Sequence, residues 1–204
     1  MQGWSGPDFA EEGKRMELQQ AIRQRRSIGK VLDLPVEKEK IERILESAVW
    51  APNHHHTEPW KFFVMTGEGR RVLGSAYANA ALDSLAGLDP EEKEVRLSRE
   101  EAKAMRAPAV IAVACSPSTN PRVIRSEELA AVHCAVQNML LTAHEEGLGA
   151  VWRSGEPMHH SSMKSAFGLK DGEELVGFIY LGYPGMNVPE GRRIAAKDKT
   201  FWMS

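Results

Sequence analysis

Three short stretches of the chain carry side chains suited to chemistry. Arg25-Arg26-Ser27 sets two guanidiniums and a hydroxyl in consecutive positions, with Gly29 close by. Arginine presents a planar fork of donors that matches the oxygens of a phosphate monoester, and serine adds another donor. The same residues also suit a plainer role, as cations at a helix C-terminus where they favour the dipole. The second stretch is Ala51-Pro52-Asn53-His54-His55-His56-Thr57-Glu58-Pro59-Trp60. Imidazole titrates near neutral pH and is a common metal ligand, so this stretch admits proton transfer or metal binding. Zinc sites usually space their ligands by two or more residues, however, and the side chains of adjacent residues are expected to diverge. The third is Trp152-Arg153-Ser154, an aromatic, a guanidinium and a hydroxyl between Gly149 and Gly155.

Pro52 and Pro59 remove backbone donors and bias the residues before them away from the α region, so the histidine stretch is a structured loop. Ile41, Ile44, Leu45, Ala48 and Val49 recur at helical spacing before it, predicting a helix over 36–50, and 60–65 reads as a buried strand after it. A short helix is expected over 16–26, with Leu18 and Ile22 on one face and the arginines at its end. Further helices are expected over 72–80, 91–105, 126–146 and 157–167, and strands over 109–115, 149–155 and 175–182. The 126–146 helix takes Ser126 as N-cap and stops at Gly147. It is apolar nearly all round, which calls for burial on two faces, against the sheet and a helix or across a dimer interface. His133 on it is expected to be a buried, satisfied histidine. The charged 91–105 helix is expected to be a solvated face or a cover, and the tail ending in Phe201-Trp202-Met203 is expected to pack on something, a partner subunit being one candidate.

The order of elements is that of an α+β or three-layer protein with four or five strands. A length of 204 residues suits one domain, with a flexible extension over 1–15 and a single domain over 16–204. The net charge of −2 supplies no field for nucleic acid, and no apolar run suits a signal peptide or membrane anchor. Cys115 and Cys134, without metal-type spacing, fit a reducing cytoplasm. No GxGxxG follows a strand, and neither a P-loop nor a GxSxG elbow occurs.

Together, Arg25-Arg26-Ser27, Ala51-Pro52-Asn53-His54 leading to Pro59-Trp60-Lys61-Phe62-Phe63-Val64, Gly147-Leu148-Gly149-Ala150-Val151-Trp152-Arg153-Ser154-Gly155 and Val176-Gly177-Phe178-Ile179-Tyr180-Leu181-Gly182-Tyr183-Pro184 resemble the nitroreductase family in order and spacing. The likeness runs from about residue 17 to residue 186 and is strongest to the short bacterial branch of YdjA type. It implies a three-layer α-β-α sandwich with a mixed, mostly antiparallel sheet around a long central helix. It also implies a homodimer with FMN at the subunit interface and NADH or NADPH as co-substrate. By the resemblance, Arg25, Arg26 and Ser27 hold the phosphate and ribityl chain, and Trp152, Arg153 and Ser154 contact the flavin of the same subunit. Trp50 and His54 correspond to positions that reach the partner's FMN, and 142–147 to a stretch assigned to the nicotinamide nucleotide.

The implied activity is ping-pong electron transfer from NAD(P)H to a nitroaromatic, quinone or related acceptor, with no obligatory protein acid or base and no metal ligand assigned. His54 or His56 is a candidate proton donor to the acceptor. Glu58 stands where many relatives carry an amide, His55 and His56 where polar residues are usual, and Ile28-Gly29 where a basic residue is usual, with Lys30 displaced. Arg192 or Arg193 is a further candidate for the phosphate. Two other readings stay open. One is a non-catalytic flavin-binding protein. The other is a metal-binding protein using His54, His55 and His56, with His159-His160 as further ligands.

Overall fold

The computed structural model describes residues 16–203, and the extension expected over 1–15 lies outside them. In chain order the elements are α1 (Leu18–Gln24), α2 (Lys38–Val49), β1 (Trp60–Thr66), α3 (Arg71–Ala81), α4 (Pro90–Glu101), β2 (Ala109–Cys115), α5 (Arg125–Glu145), β3 (Gly149–Arg153), α6 (Ser161–Ala166) and β4 (Glu174–Gly182).

Every residue of β2 is buried, as an unbroken run of small and branched apolar side chains requires of a strand covered on both faces. The sheet order is β1-β2-β4-β3, so β2 and β4 are central. All three pairings are antiparallel, with Ile111 opposite Val64 on one side and Ile179 on the other. The mixed character expected of the sheet is confined to an isolated parallel bridge between Ser27 and Ala150, outside the four strands.

Alternation along β2 divides the core. Ile111 and Val113 pack with Ile44 of α2 and Val132, Val136 and Met139 of α5. Val110, Ala112 and Ala114 pack on the other face with Leu73 and Tyr77 of α3 and Met163 of α6. Helices on each face of one sheet make the expected three layers.

Several expectations shift in detail. α5 begins one residue before the expected cap, with Ile124 at the N-cap and no side-chain cap, so Ser126 does not fill that role. Its buried stripe runs from Glu128 through Val132, Val136 and Met139 to Ala143, while His133 and Cys134 are exposed. His133 is therefore not buried: the helical period turns it away from the sheet, where its ring stands 5.7 Å from that of Trp152. The helix expected over 157–167 divides into a 3-10 turn, Glu156–His159, and α6, whose N-cap His160 accepts from the Ser162 amide at 3.1 Å. α4 is capped by Asp89, which accepts from the Glu92 amide at 3.0 Å, and it buries no residue, as a solvated cover should. The aromatic tail is open in the single chain, with Phe201 90% and Trp202 92% exposed. No helix among the described residues is long and apolar enough to cross a membrane.

A carboxylate latch joins the ends of β1 and β2 to the loop before β4. Glu173 accepts from Lys61 Nζ at 2.5 Å, Ser116 Oγ at 2.6 Å and the Lys170 amide at 2.9 Å. The Lys61 bond first, then those from Ser116 and Lys170, hold its carboxyl down from 4.5 to about 2. A carboxyl lowered in the folded state stabilises the fold above its unfolded value, and that contribution is lost as pH falls from there towards the folded value. The urea midpoint of the wild type is expected to fall between pH 4.5 and pH 2 more steeply than that of Glu173→Gln. Parallel slopes over that window would remove the latch from the account.

Candidate functional site

α1 ends at Gln24, and the chain then crosses to the edge of β3, where Ser27 bridges Ala150 and the Ile28 amide donates to the Ala150 carbonyl at 2.9 Å. This crossing sets Arg25 and Arg26 beside the last turn of α5. Arg26 Nη1 donates to the carbonyls of Arg23 at 2.6 Å and Arg25 at 2.7 Å, so it does serve the helix end. Its Nε, however, is buried without a hydrogen-bond partner among the described residues. The tail lies against this guanidinium so closely that a Cβ on Gly191 would stand 1.6 Å from Arg26 Nη2. Burial lowers the pKa of Arg25, and the charges of Arg26 and Arg193 lower it further.

His144, on the last turn of α5, belongs to the same cluster. Burial first, then Arg25 and Arg26, push its pKa down, and its buried Nε2 has no hydrogen-bond partner among the described residues. The neighbouring carboxylates are engaged elsewhere. Glu145 accepts from the Met16 amide at 3.3 Å, and Glu146 pairs with Arg43 at 2.6 and 2.7 Å. Among the described residues neither Arg25 nor Arg26 joins a salt bridge. Cations gathered without a carboxylate repel one another and favour a bound anion, and the unused Nε and Nε2 supply donors for it. The residue types and the orphaned donors fit the phosphate of a mononucleotide.

Strand alternation separates the next group. Trp152 turns towards α5, where its Nε1 donates to the Val176 carbonyl at 3.2 Å. Gly177 makes the seat, since a Cβ there would meet that nitrogen at 2.1 Å. Arg153 turns to the opposite face, its guanidinium 5.5 Å from the Tyr180 ring and its Nε buried without a partner. Burial raises the Tyr180 pKa, so the neutral ring offers Arg153 its face rather than a phenolate. Ser154 is exposed where the chain leaves β3. A would-be Cβ on Gly29 lies 3.9 Å from Arg153 Nη2, which joins this side of β3 to the Arg25-Arg26-Ser27 crossing.

The histidine loop is held at its root. Asn53 Oδ1 accepts from the Glu58 amide at 2.8 Å and from the Thr57 hydroxyl at 3.3 Å. Glu128, 1% exposed, accepts from the Thr57 hydroxyl and, at 2.5 Å, from the Ser118 amide. His56 and Glu58 take positive φ of 53° and 49°. In this turn the rings of His54 and His55 do not diverge as expected but stack with centroids 4.2 Å apart. His54 Nδ1 lies 3.3 Å from Glu127 Oε2, and ligating atoms of His54, His55 and Glu127 all lie within 4.8 Å of one another. His56, His159 and His160 are outside that group. Trp50 is 79% exposed, with its Nε1 donating to Glu46 at 3.1 Å.

α5 separates these two centres. The histidine loop meets it at Glu127 and the cation cluster at His144, seventeen positions apart along one helix. At 1.5 Å per residue that is about 26 Å. The 142–147 stretch faces Arg25, Arg26 and Arg43, at the cation end. Sequence reasoning missed Glu127 and Glu128, and reached His144 only as part of the 142–147 stretch, without a role of its own. Glu128 and Thr57 are 71 positions apart, and no local pattern links them.

Glu128→Ala would leave the Ser118 amide without its acceptor and the Thr57 hydroxyl with only the longer bond to Asn53 Oδ1. The expected result is faster amide exchange over 53–58 and a loss of about 1–3 kcal/mol in stability. Unchanged exchange in the loop would exclude Glu128 as its anchor.

A model of the nitroreductase family matches residues 22–183. The Escherichia coli K12 protein named "Putative NAD(P)H nitroreductase YdjA" is 32% identical over 181 residues, spanning 86% of this chain and 96% of that one. A nitroreductase-like family protein from Bacillus cereus has a solved structure that matches with TM-score 0.79 and 33% identity, covering 95% of this chain and 99% of that one. A Desulfovibrio desulfuricans protein solved in complex with FMN matches with TM-score 0.68 and 28% identity, covering 90% and 95% of the two chains. With four antiparallel strands between helical layers and a match across most of its length, the chain belongs to the nitroreductase family.

Proposed function

We propose that the protein is an FMN-dependent oxidoreductase that uses NADH or NADPH to reduce nitroaromatic, quinone or related electrophilic acceptors by a ping-pong mechanism. It works as a homodimer in the cytoplasm. The observation that carries this reading is the group of cations at the C-terminal end of α5, where Arg26 Nε has no hydrogen-bond partner among the described residues. When bound there, FMN supplies the two-electron chemistry.

The chain's own residues then have distinct tasks. Arg25 and Arg26 neutralise the phosphate, and the exposed Ser27 serves the ribityl chain. Arg153, with its unpaired Nε, offers a donor to the ring system, Ser154 stands at the rim, and Trp152 backs the site from its seat on Gly177. Trp50 and His54, at the far end of α5, serve the flavin of the other subunit. The exposed side of α5 at His133 and Cys134, together with the open Trp50, Phe201 and Trp202, supports a second chain as their cover. Glu127 Oε2 stands 3.3 Å from Nδ1 of His54 and leaves Nε2 for the acceptor, which favours His54 over His56 as proton donor.

The test is the visible spectrum and solution size of the protein with FMN, before and after anaerobic addition of NADH or NADPH. A yellow dimer bleached by one nucleotide and recoloured by a nitroarene or quinone is the expected outcome. A dimer whose bound flavin neither nucleotide bleaches would make it a flavin carrier. A protein that takes up no FMN would end the oxidoreductase reading.

The convergence of His54, His55 and Glu127 favours a second reading, a metal site. Zinc held by untagged protein and lost on His54→Ala, in the absence of any flavin uptake, would establish that reading instead.

A further inference from the structure

We propose that His144 is a phosphate-binding residue of this site: its Nε2 donates to the phosphate of the mononucleotide and takes up a proton from solvent as the dianion enters. The inference rests on the FMN reading above and deepens it at a residue outside the Arg25-Arg26-Ser27 triplet.

Three features of the surroundings lead to it. His144 is placed by the last turn of the longest helix, against the crossing that carries Arg25 and Arg26. Among the described residues its buried Nε2 has no hydrogen-bond partner, nor has Arg26 Nε on the same crossing. Buried ring nitrogens are ordinarily hydrogen-bonded, so a lone one among cations calls for an anionic acceptor.

Among the described residues, the charged groups near it are engaged as follows. Arg25 and Arg26 face it from the α1 end, and Arg193 of the tail acts on Arg25. From α2, Arg43 and Lys40 are held by the Glu146 carboxylate and carbonyl. On α5 itself, Glu145 accepts from the Met16 amide and Glu146 is occupied by Arg43. Among these neighbours no free carboxylate stands ready to hold a protonated imidazole. In the free protein, burial and the two arginines keep His144 neutral. A phosphate dianion inverts that field, because a nearby negative charge favours the imidazolium, and the added proton supplies a charge-assisted hydrogen bond.

The test compares FMN with riboflavin, which lacks the phosphate, in titrations of flavin-free protein at pH 7. His144→Leu is expected to weaken FMN binding about tenfold and leave riboflavin binding unchanged, a size typical of one hydrogen bond to a charged group. Its deficit against wild type should shrink as the pH is raised and His144 loses its proton in the complex. Equal FMN affinity in the two proteins, or equal losses for both flavins, would overturn the assignment. Should the variant fail to fold, calorimetry of FMN binding to wild-type protein in two buffers of different ionisation enthalpy decides the question. Net proton uptake at pH 7 is expected, and no uptake, or release, counts against the proposal. FMN binding that ignores His144 refutes this inference alone, whereas a wild-type protein that binds no FMN also ends the cofactor reading.

Discussion

Burial of β2 on both faces is the constraint on which the rest of the structure depends. A strand whose seven residues are all apolar and covered must be central, so β1 and β4 pair on its two edges and helices close above and below. The face carrying Ile111 and Val113 is wide enough to seat α2 and α5 together. Once α5 lies on that face, its length of about 32 Å sets the scale of the functional surface. The histidine loop meets one end and the arginines the other.

That separation gives the protein two different kinds of polar site. At the Glu127 end, the Glu128 carboxylate and the Asn53 side chain fix a loop by accepting donors at its root, and the imidazoles are left facing outwards. At the His144 end, the guanidiniums of Arg25 and Arg26 crowd a neutral imidazole, and among the described residues Arg26 Nε and His144 Nε2 have no hydrogen-bond partner. A self-satisfied anchor contributes to stability, whereas a self-repelling cluster costs it until an anion arrives. The first kind of site positions side chains, and the second is suited to an anion.

Much of the fold could be read along the chain because its signals are local. The apolar run over 109–115, the helical spacing of Ile41, Ile44 and Ala48, and the prolines around the histidines each act within a few residues of themselves. The donors of Arg25-Arg26-Ser27 could be read for the same reason, although three adjacent donors suit the end of a helix as well as a phosphate. The burial of His133 was misjudged because an apolar helix shows no polar side when its neighbours are alanine and cysteine. The face it turns to solvent is set by the sheet that α5 lies on. The stacking of His54 on His55 was also hidden, because it depends on the positive φ at His56 and Glu58 and on the Asn53 turn.

The sequence by itself determined the elements, their order, the family resemblance and the kinds of donor available at each stretch, because propensity and periodicity act over single turns and strands. Only the tertiary structure decided which of those donors meet. It put Trp152 and Arg153 on opposite faces of β3, Glu128 under Thr57, and His144 beside Arg25 and Arg26. These contacts join residues tens to more than a hundred positions apart, and their geometry follows from how helices pack on a twisted sheet. No short window of sequence contains that information.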